Sequence, residues 1–235
     1  MTWTLLHRDD GLVDTRVPGE KLADLEVQVS NQFLTTPGRL LDLGCGKGRA
    51  SVYFAEKGYQ AVGVDIDLDT LRAAKRLASE IRPNSCDFIL ADGCSLCFRG
   101  SVFDCVICFG STLSEKFRVW LRRKDRESIV CESLRVANCK GMLIFNFVHR
   151  YWSVWGFIKF LRYYWAWGWK RLVGERIEFG DYWESIGTTK VWFHGFTIPE
   201  AKSLFPPKGM RLQIWKRNAR LFTDWFFVIV NKVAA

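Results

Sequence analysis

Three glycines at alternate positions, Gly44, Gly46 and Gly48, lie between the apolar run Leu40-Leu41-Asp42-Leu43 and the helix-like start Ala50-Ser51-Val52-Tyr53-Phe54-Ala55. Strand, glycine turn and helix together make a nucleotide-binding corner. Glycine reaches left-handed backbone angles and lets backbone approach a ligand closely, and the first amides of the helix are free to face that ligand. Downstream, Ala61-Val62-Gly63-Val64-Asp65 reads as a second strand ending in an acid. Such folds place a carboxylate on ribose hydroxyls about 20 residues past the glycines. The spacing differs from the dinucleotide fingerprint G-x-G-x-x-G, because here a residue separates each glycine from the next and Asp42 stands two positions ahead of Gly44.

Two other sets of residues have the types for chemistry. Cys94-x-x-Cys97 and Cys105-x-x-Cys108 have the spacing of a four-thiolate zinc site. Cys105 and Cys108 fall on an expected strand, however, where residues three apart point to opposite faces. Cysteine also packs as a small apolar residue, so the expectation is no metal. Of the three histidines, His7, His149 and His194, His149 follows an expected strand and opens onto its carboxyl edge. A group of that kind would deprotonate a phenol or alcohol.

The elements that must position these residues follow from periodicity. Leu22, Leu25, Val29 and Phe33 form one helical stripe within 20–33. Strands are expected over 39–43, 60–65, 86–91, 103–108 and 142–147, with helices over 47–57, 70–80 (Asp69 as N-cap) and a third ending near Ala137. A short helix from Pro199 to Phe205 and strands over 210–216 and 222–230 complete the chain. Strands alternating with helices imply an α/β fold, a parallel sheet covered on both faces with right-handed crossovers. Its ligand site lies outside the carboxyl ends of the strands, where strand order reverses. Residues 149–195 break this pattern: Tyr151, Trp152, Trp155, Tyr163, Tyr164, Trp165, Trp167 and Trp169 are interleaved with Lys159, Arg162, Lys170 and Arg171. That is too long for a structureless loop. The expectation is a helical cap inserted into one domain spanning 1–235.

Motif order makes the reading more specific. Asp42-Leu43-Gly44-Cys45-Gly46-Lys47-Gly48 resembles motif I, D-x-G-x-G-x-G, of the class I S-adenosylmethionine-dependent methyltransferases. Val64-Asp65-Ile66-Asp67, Leu90-Ala91-Asp92-Gly93 with Leu96-Cys97-Phe98, Phe103-Asp104-Cys105-Val106-Ile107-Cys108, and Glu132-Ser133-Leu134-Arg135-Val136 ahead of Gly141-Met142-Leu143-Ile144 resemble its later motifs, in order, over about residues 38–148. The resemblance implies a Rossmann-like seven-stranded sheet, mostly parallel, closed by an antiparallel hairpin of the last two strands. It implies S-adenosyl-L-methionine as cofactor. The loop Gly44, Cys45, Gly46 and Gly48 would approach its methionine part and ribose, and Asp42 would fix that loop or bind the methionyl ammonium. Asp65 would take both ribose hydroxyls and Ile66 would pack on adenine. Asp92, with Gly93 beside it, would accept from the adenine amino group, and Phe109 would line the space under the methionyl chain. His194, in Trp192-Phe193-His194-Gly195-Phe196, would face the acceptor pocket as a second candidate base beside His149. Asp67 reads as a solvated turn residue.

Composition narrows the partners. A formal charge of +9 on 235 residues suits nucleic acid, phospholipid headgroups or a carboxylate substrate. The aromatic and basic insert reads as a cap with its own small core around a small-molecule acceptor, as a peripheral membrane contact, or as a stacking surface for single-stranded nucleic acid, in that order. The family's asparagine-proline-proline-tyrosine motif of base-amine methylases is replaced by Phe109-Gly110-Ser111-Thr112. The reading is therefore transfer of a methyl group to a small apolar or amphipathic molecule. An RNA methyltransferase and a catalytically silent binding protein are the alternatives. Neither a secretory leader nor an apolar run of about 18 residues is evident, so a cytoplasmic setting with reduced thiols is expected for the eight cysteines.

Overall fold

The computed structural model describes residues 22–83, 85–110, 112–114, 121–151, 161, 164–165, 167–169, 172, 178–186, 189–216 and 225–233. His7, Lys159, Arg162, Lys170 and Arg171 lie outside them. The helices are α1 (Asp24–Phe33), α2 (Arg49–Glu56), α3 (Leu68–Ile81), α4 (Arg123–Val136) and α5 (Ile198–Lys202). The strands are β1 (Arg39–Leu43), β2 (Gln60–Asp65), β3 (Cys86–Leu90), β4 (Phe103–Cys108), β5 (Ala137–Val148), β6 (Asp181–Ile186), β7 (Thr189–His194), β8 (Met210–Trp215) and β9 (Trp225–Lys232).

Seven strands form one sheet in the order β3-β2-β1-β4-β5-β9-β8. The first five are mutually parallel, and β9 runs antiparallel between β5 and β8. This is the Rossmann-like, mostly parallel seven-stranded sheet expected from the sequence. After β1 the chain adds β2 and β3 on one side, then crosses to add β4 and β5 on the other, so the carboxyl end of β1 is the switch point where ligands enter such sheets. The central strands are apolar on both sides because helices cover both: Leu40, Leu41, Val106, Ile107 and Cys108 are all fully buried. One core joins Cys108, Val130, Phe145, Phe147, Ala201 and Leu204, packing α4 and α5 on one face. The other joins Val29, Leu40, Phe54, Cys105 and Ile107, packing α1 and α2 on the opposite face.

Three details differ from the sequence reading. Asp67, not Asp69, caps α3: its Oδ1 accepts from Asp69 N at 3.0 Å and its Oδ2 from the Thr70 hydroxyl at 2.7 Å, so it is a capping residue and not a bare turn. Residues 138–141 are not a turn ahead of β5 but a bulge within it, since the register runs from Phe103↔Ala137 to Cys105↔Met142. Asp104 anchors that bulge, accepting from Asn138 Nδ2 at 2.5 Å. Finally, the insert is helical only in part. The described positions from 161 to 172 are helical, whereas β6 and β7 pair as an antiparallel hairpin. β-Branched and aromatic residues such as Val191, Trp192 and Phe193 favour strand, and the aromatic richness of the whole insert hid that local change.

Candidate active site

The glycine loop closes over the carboxyl end of β1. Gly44 N and Cys45 N donate to Val64 O at 2.8 and 3.0 Å, which fastens the loop to β2. At Gly44 φ is +66°, and a Cβ would sit 2.3 Å from Thr112 Cγ2; at Gly48 φ is +81°, and a Cβ would sit 2.8 Å from Phe88. Backbone conformation and space both require glycine there. Gly46 differs. Among the described residues a Cβ on it would meet only Thr70 Cγ2 at 3.9 Å, so this half-buried glycine forms the lip of a cradle.

Asp65 ends β2 directly beside that lip. Gly46 N donates to its Oδ2 at 2.9 Å and Asp67 N to its Oδ1 at 3.0 Å. A carboxylate has about four acceptor sites. The two amides orient the group and leave one lone-pair direction on each oxygen, the arrangement a vicinal diol needs. Ile66, 43% exposed, adjoins it as an apolar surface of the kind an adenine ring covers. Asp92 is exposed, with Oδ1 accepting from Cys94 N at 2.8 Å. Gly93 lies against Ile129, where a Cβ would stand at 3.4 Å.

Asp42 lies beneath the loop and is 2% exposed. Its Oδ2 accepts from the Ser51 hydroxyl at 2.7 Å, tying β1 to the first turn of α2. Burial raises its pKa from 3.8 to about 6, opposed by the Ser51 hydrogen bond and by Arg49. The folded pKa lies above the unfolded one, so the stability this group confers is complete below pH 3.8 and is lost as pH rises through about 6. At neutral pH the ionised form is a cost of at most about 3 kcal/mol. Asp42→Asn preserves an acceptor for Ser51. It is expected to unfold at higher denaturant than the parent at pH 7 and to lose that advantage at pH 4, as urea titrations at both pH values would measure.

Glu26 was not singled out by the sequence, yet it is a hub of the site. It is fully buried on α1 and receives both Arg49 guanidinium nitrogens, one at 2.8 Å, while its Oε1 also accepts from Gly110 N at 3.0 Å. One carboxylate therefore joins α1, the start of α2 and the exit of β4 beside the glycine loop. The signal was available: Glu26 lies four residues after Leu22 and three before Val29, in the middle of an otherwise apolar stripe.

The two histidines separate clearly. His149 follows β5 and is 9% exposed, its ring edge-on to Phe226 at 5.7 Å and to Tyr151 at 6.1 Å. Burial lowers its pKa below 6.5, aided by Lys216 and Arg150 and opposed by the Tyr151 backbone, so the imidazole is neutral at pH 7. His194 is a correction. Its Nδ1 meets Asp181 Oδ1 at 2.7 Å and its Nε2 meets Glu200 Oε1 at 3.0 Å. With both nitrogens held by carboxylates and 2% exposure, it is a buried strut and not a base. Arg150 joins Glu200, and Arg126 Nη1 joins Glu178 at 2.7 Å, so this cluster ties the β6–β7 hairpin to α4, α5 and the end of β5. A cleft of about 330 Å³ lies among these charges, apart from the cradle. Glu178, Asp181 and His194 could converge on a cation, but their ligand atoms are already matched by Arg126 and by the His194–Asp181 bond.

Phe109 is a second correction. It is 3% exposed and packs on Phe227 at 5.9 Å and Phe54 at 6.5 Å, so its ring belongs to the core of the α1–α2 face rather than to the space under the methionyl chain. Cys105 and Cys108 enter the cores on opposite faces of the sheet, as strand alternation requires. Burial pushes their thiols up to about 11 and 12. All eight cysteines are free thiols.

Residues 40–141 match the methyltransferase domain family. A 101-residue stretch is 34% identical to 2-heptyl-1-hydroxyquinolin-4(1H)-one methyltransferase of Mycobacteroides abscessus, covering 43% of this chain and 44% of that protein. A 111-residue stretch is 33% identical to demethylmenaquinone methyltransferase of Renibacterium salmoninarum, covering 46% and 40%. The matches thus span less than half the length of these relatives. The crystal structure of a SAM-dependent methyltransferase from Methanosarcina mazei superposes with a TM-score of 0.69 at 23% identity, covering 92% of this chain and all of that one. Residues 40–141, which hold the cradle described above, thus match a methyltransferase domain, and the fold of the chain is one shared by a SAM-dependent methyltransferase.

Proposed function

We propose that this chain transfers the S-adenosylmethionine methyl group to a small apolar or amphipathic molecule, with His149 accepting the acceptor's proton. The observation that carries this reading is the seat of His149. It is a neutral imidazole at the carboxyl end of β5, walled by the rings of Phe226 and Tyr151. Small-molecule sites combine apolar walls with a few placed polar groups. Two of the relatives are named for acting on a heptyl-hydroxyquinolinone and on demethylmenaquinone, which supports the same acceptor class. The donor's sulfonium is already activated, so the protein's main contribution is alignment, an effect on the order of 7–11 kcal/mol for well-oriented pairs. When bound, the donor would supply its methyl group to the acceptor's lone pair and leave as S-adenosylhomocysteine, while His149 would take the acceptor's proton. In this reading Asp65, Ile66 and Asp92 hold the nucleoside, while Gly44, Cys45, Gly46 and Gly48 pass under the methionyl arm.

The test is methyl-labelled donor offered with hydroxylated and amphipathic ring compounds in one arm and with RNA in the other. Label is expected in the small molecules. Label in RNA alone overturns the acceptor class. His149→Gln should lower kcat by roughly 10²–10⁴-fold and leave donor affinity unchanged. Because burial holds His149 below 6.5, parent kcat should fall only on the acid side of that value and stay flat through pH 7–8. An unaltered rate in His149→Gln removes it from the mechanism.

A further inference from the structure

The helical positions between Leu161 and Leu172 present two unlike sides. On one, Tyr164 and Trp167 set their rings against Phe179 at 5.6 and 5.2 Å, and Phe179 in turn lies under the Arg150 guanidinium at 4.9 Å. This side is fastened to the end of β5 and the buried ionic cluster. On the other, Leu161, Trp165, Trp169 and Leu172 follow one another at intervals of four, four and three, the spacing of a single helical stripe. They are 48%, 82%, 70% and 82% exposed. Scattered exposed apolar residues need no explanation, but a contiguous stripe of two tryptophans and two leucines marks an interaction surface.

Charge and length identify what it meets. From Tyr151 to Gly174 the sequence holds Lys159, Arg162, Lys170 and Arg171 and not one acidic residue. No helix among the described residues is long and apolar enough to cross a membrane. A short amphipathic stretch with Trp and Leu on one side and cations nearby has the make-up of an element that lies in a bilayer interface. Trp is enriched at that depth, and Lys and Arg stems can extend to headgroups. Leu161 and Leu172 offer no ring for base stacking, which favours lipid over nucleic acid as the occupant. The geometry points to this stripe as the docking surface of the chain on an anionic bilayer, with Trp165 and Trp169 entering the headgroup layer. The inference does not depend on the acceptor or on His149.

Vesicle co-sedimentation of the full chain tests it, with vesicles of phosphatidylglycerol and phosphatidylcholine compared with phosphatidylcholine alone. The parent is expected to bind the anionic vesicles at least tenfold more tightly, and less so as salt rises. Trp165→Ala with Trp169→Ala should weaken that binding at least tenfold while melting temperature and donor affinity stay at parent values, since both side chains face solvent. Exchanging Lys159, Arg162, Lys170 and Arg171 for glutamine should abolish the preference for anionic vesicles. Three results overturn the proposal: a parent that does not sediment with anionic vesicles, a double tryptophan variant that binds them as the parent does, and a parent dimer in sedimentation velocity that the double variant dissociates. The last assigns the stripe to a second copy of the chain.

Discussion

Glu26→Ala is expected to cost about 3 kcal/mol of stability and to loosen the donor site in the same stroke. Breaking a buried pair by removing one partner costs about 3–5 kcal/mol, because the remaining charge loses its counter-ion while still shielded from water. Here the lower figure applies. Arg49 keeps 18% side-chain exposure, so part of its guanidinium can turn to solvent, but Gly110 N also loses its acceptor. For a chain of this length each kcal/mol moves Tm by about 2–4 °C, so a fall of about 6–12 °C in calorimetry is expected. Donor affinity should fall too, since Arg49 opens α2 directly after Gly48 and Gly110 leaves β4 at the same edge. A double replacement, Glu26→Leu with Arg49→Met, discriminates causes. Apolar substitution of a whole buried pair is often close to neutral. If the double variant is as unstable as Glu26→Ala, the stabilisation came from packing and not from the ion pair.

Asp65→Ala should weaken S-adenosylmethionine binding by about 10- to 150-fold, from about 1.5–3 kcal/mol for hydrogen bonds to a charged acceptor. The carboxylate is oriented by two backbone amides, Gly46 N and Asp67 N, so its free lone pairs need no further ordering when a diol arrives. The substitution removes the diol's acceptor and also releases the Gly46 amide that shapes the lip of the loop. Asp65→Asn keeps one carbonyl oxygen and should fall between the parent and alanine. Titration calorimetry decides: an Asp65→Ala variant that binds the donor as the parent does removes Asp65 from the cradle, whatever its fold. Stability should change little, because the group is half-buried and its partners are loop amides that water can reach.

The elements that local chemistry encodes were legible in the chain itself. β1, β2 and β4 were readable to the residue, because a strand covered on both faces is a short apolar run bounded by turn residues. The loop at Gly44, Gly46 and Gly48 was readable because left-handed backbone and close approach leave few alternatives to glycine. Asp65 and Asp92 stood out by their place at strand ends. Even the opposed faces of Cys105 and Cys108 followed from alternation alone.

Tertiary structure alone decided the rest, and the reason is sequence distance. Glu26 finds Gly110 across 84 positions and Arg49 across 23, pairings that no local period encodes. The same holds for His194. Its neighbourhood in sequence is aromatic, and only the fold brings Asp181 and Glu200 to its two nitrogens, turning a candidate base into a strut. Phe109 failed for a related reason. The residue after a strand can point to the ligand edge or into the core, and the choice was made by Phe54 and Phe227, from α2 and β9. Within the insert, aromatic content fitted a helix or a hairpin equally well. Which tryptophans face solvent was set by where Phe179 sits, a position fixed by Arg150 at the end of β5.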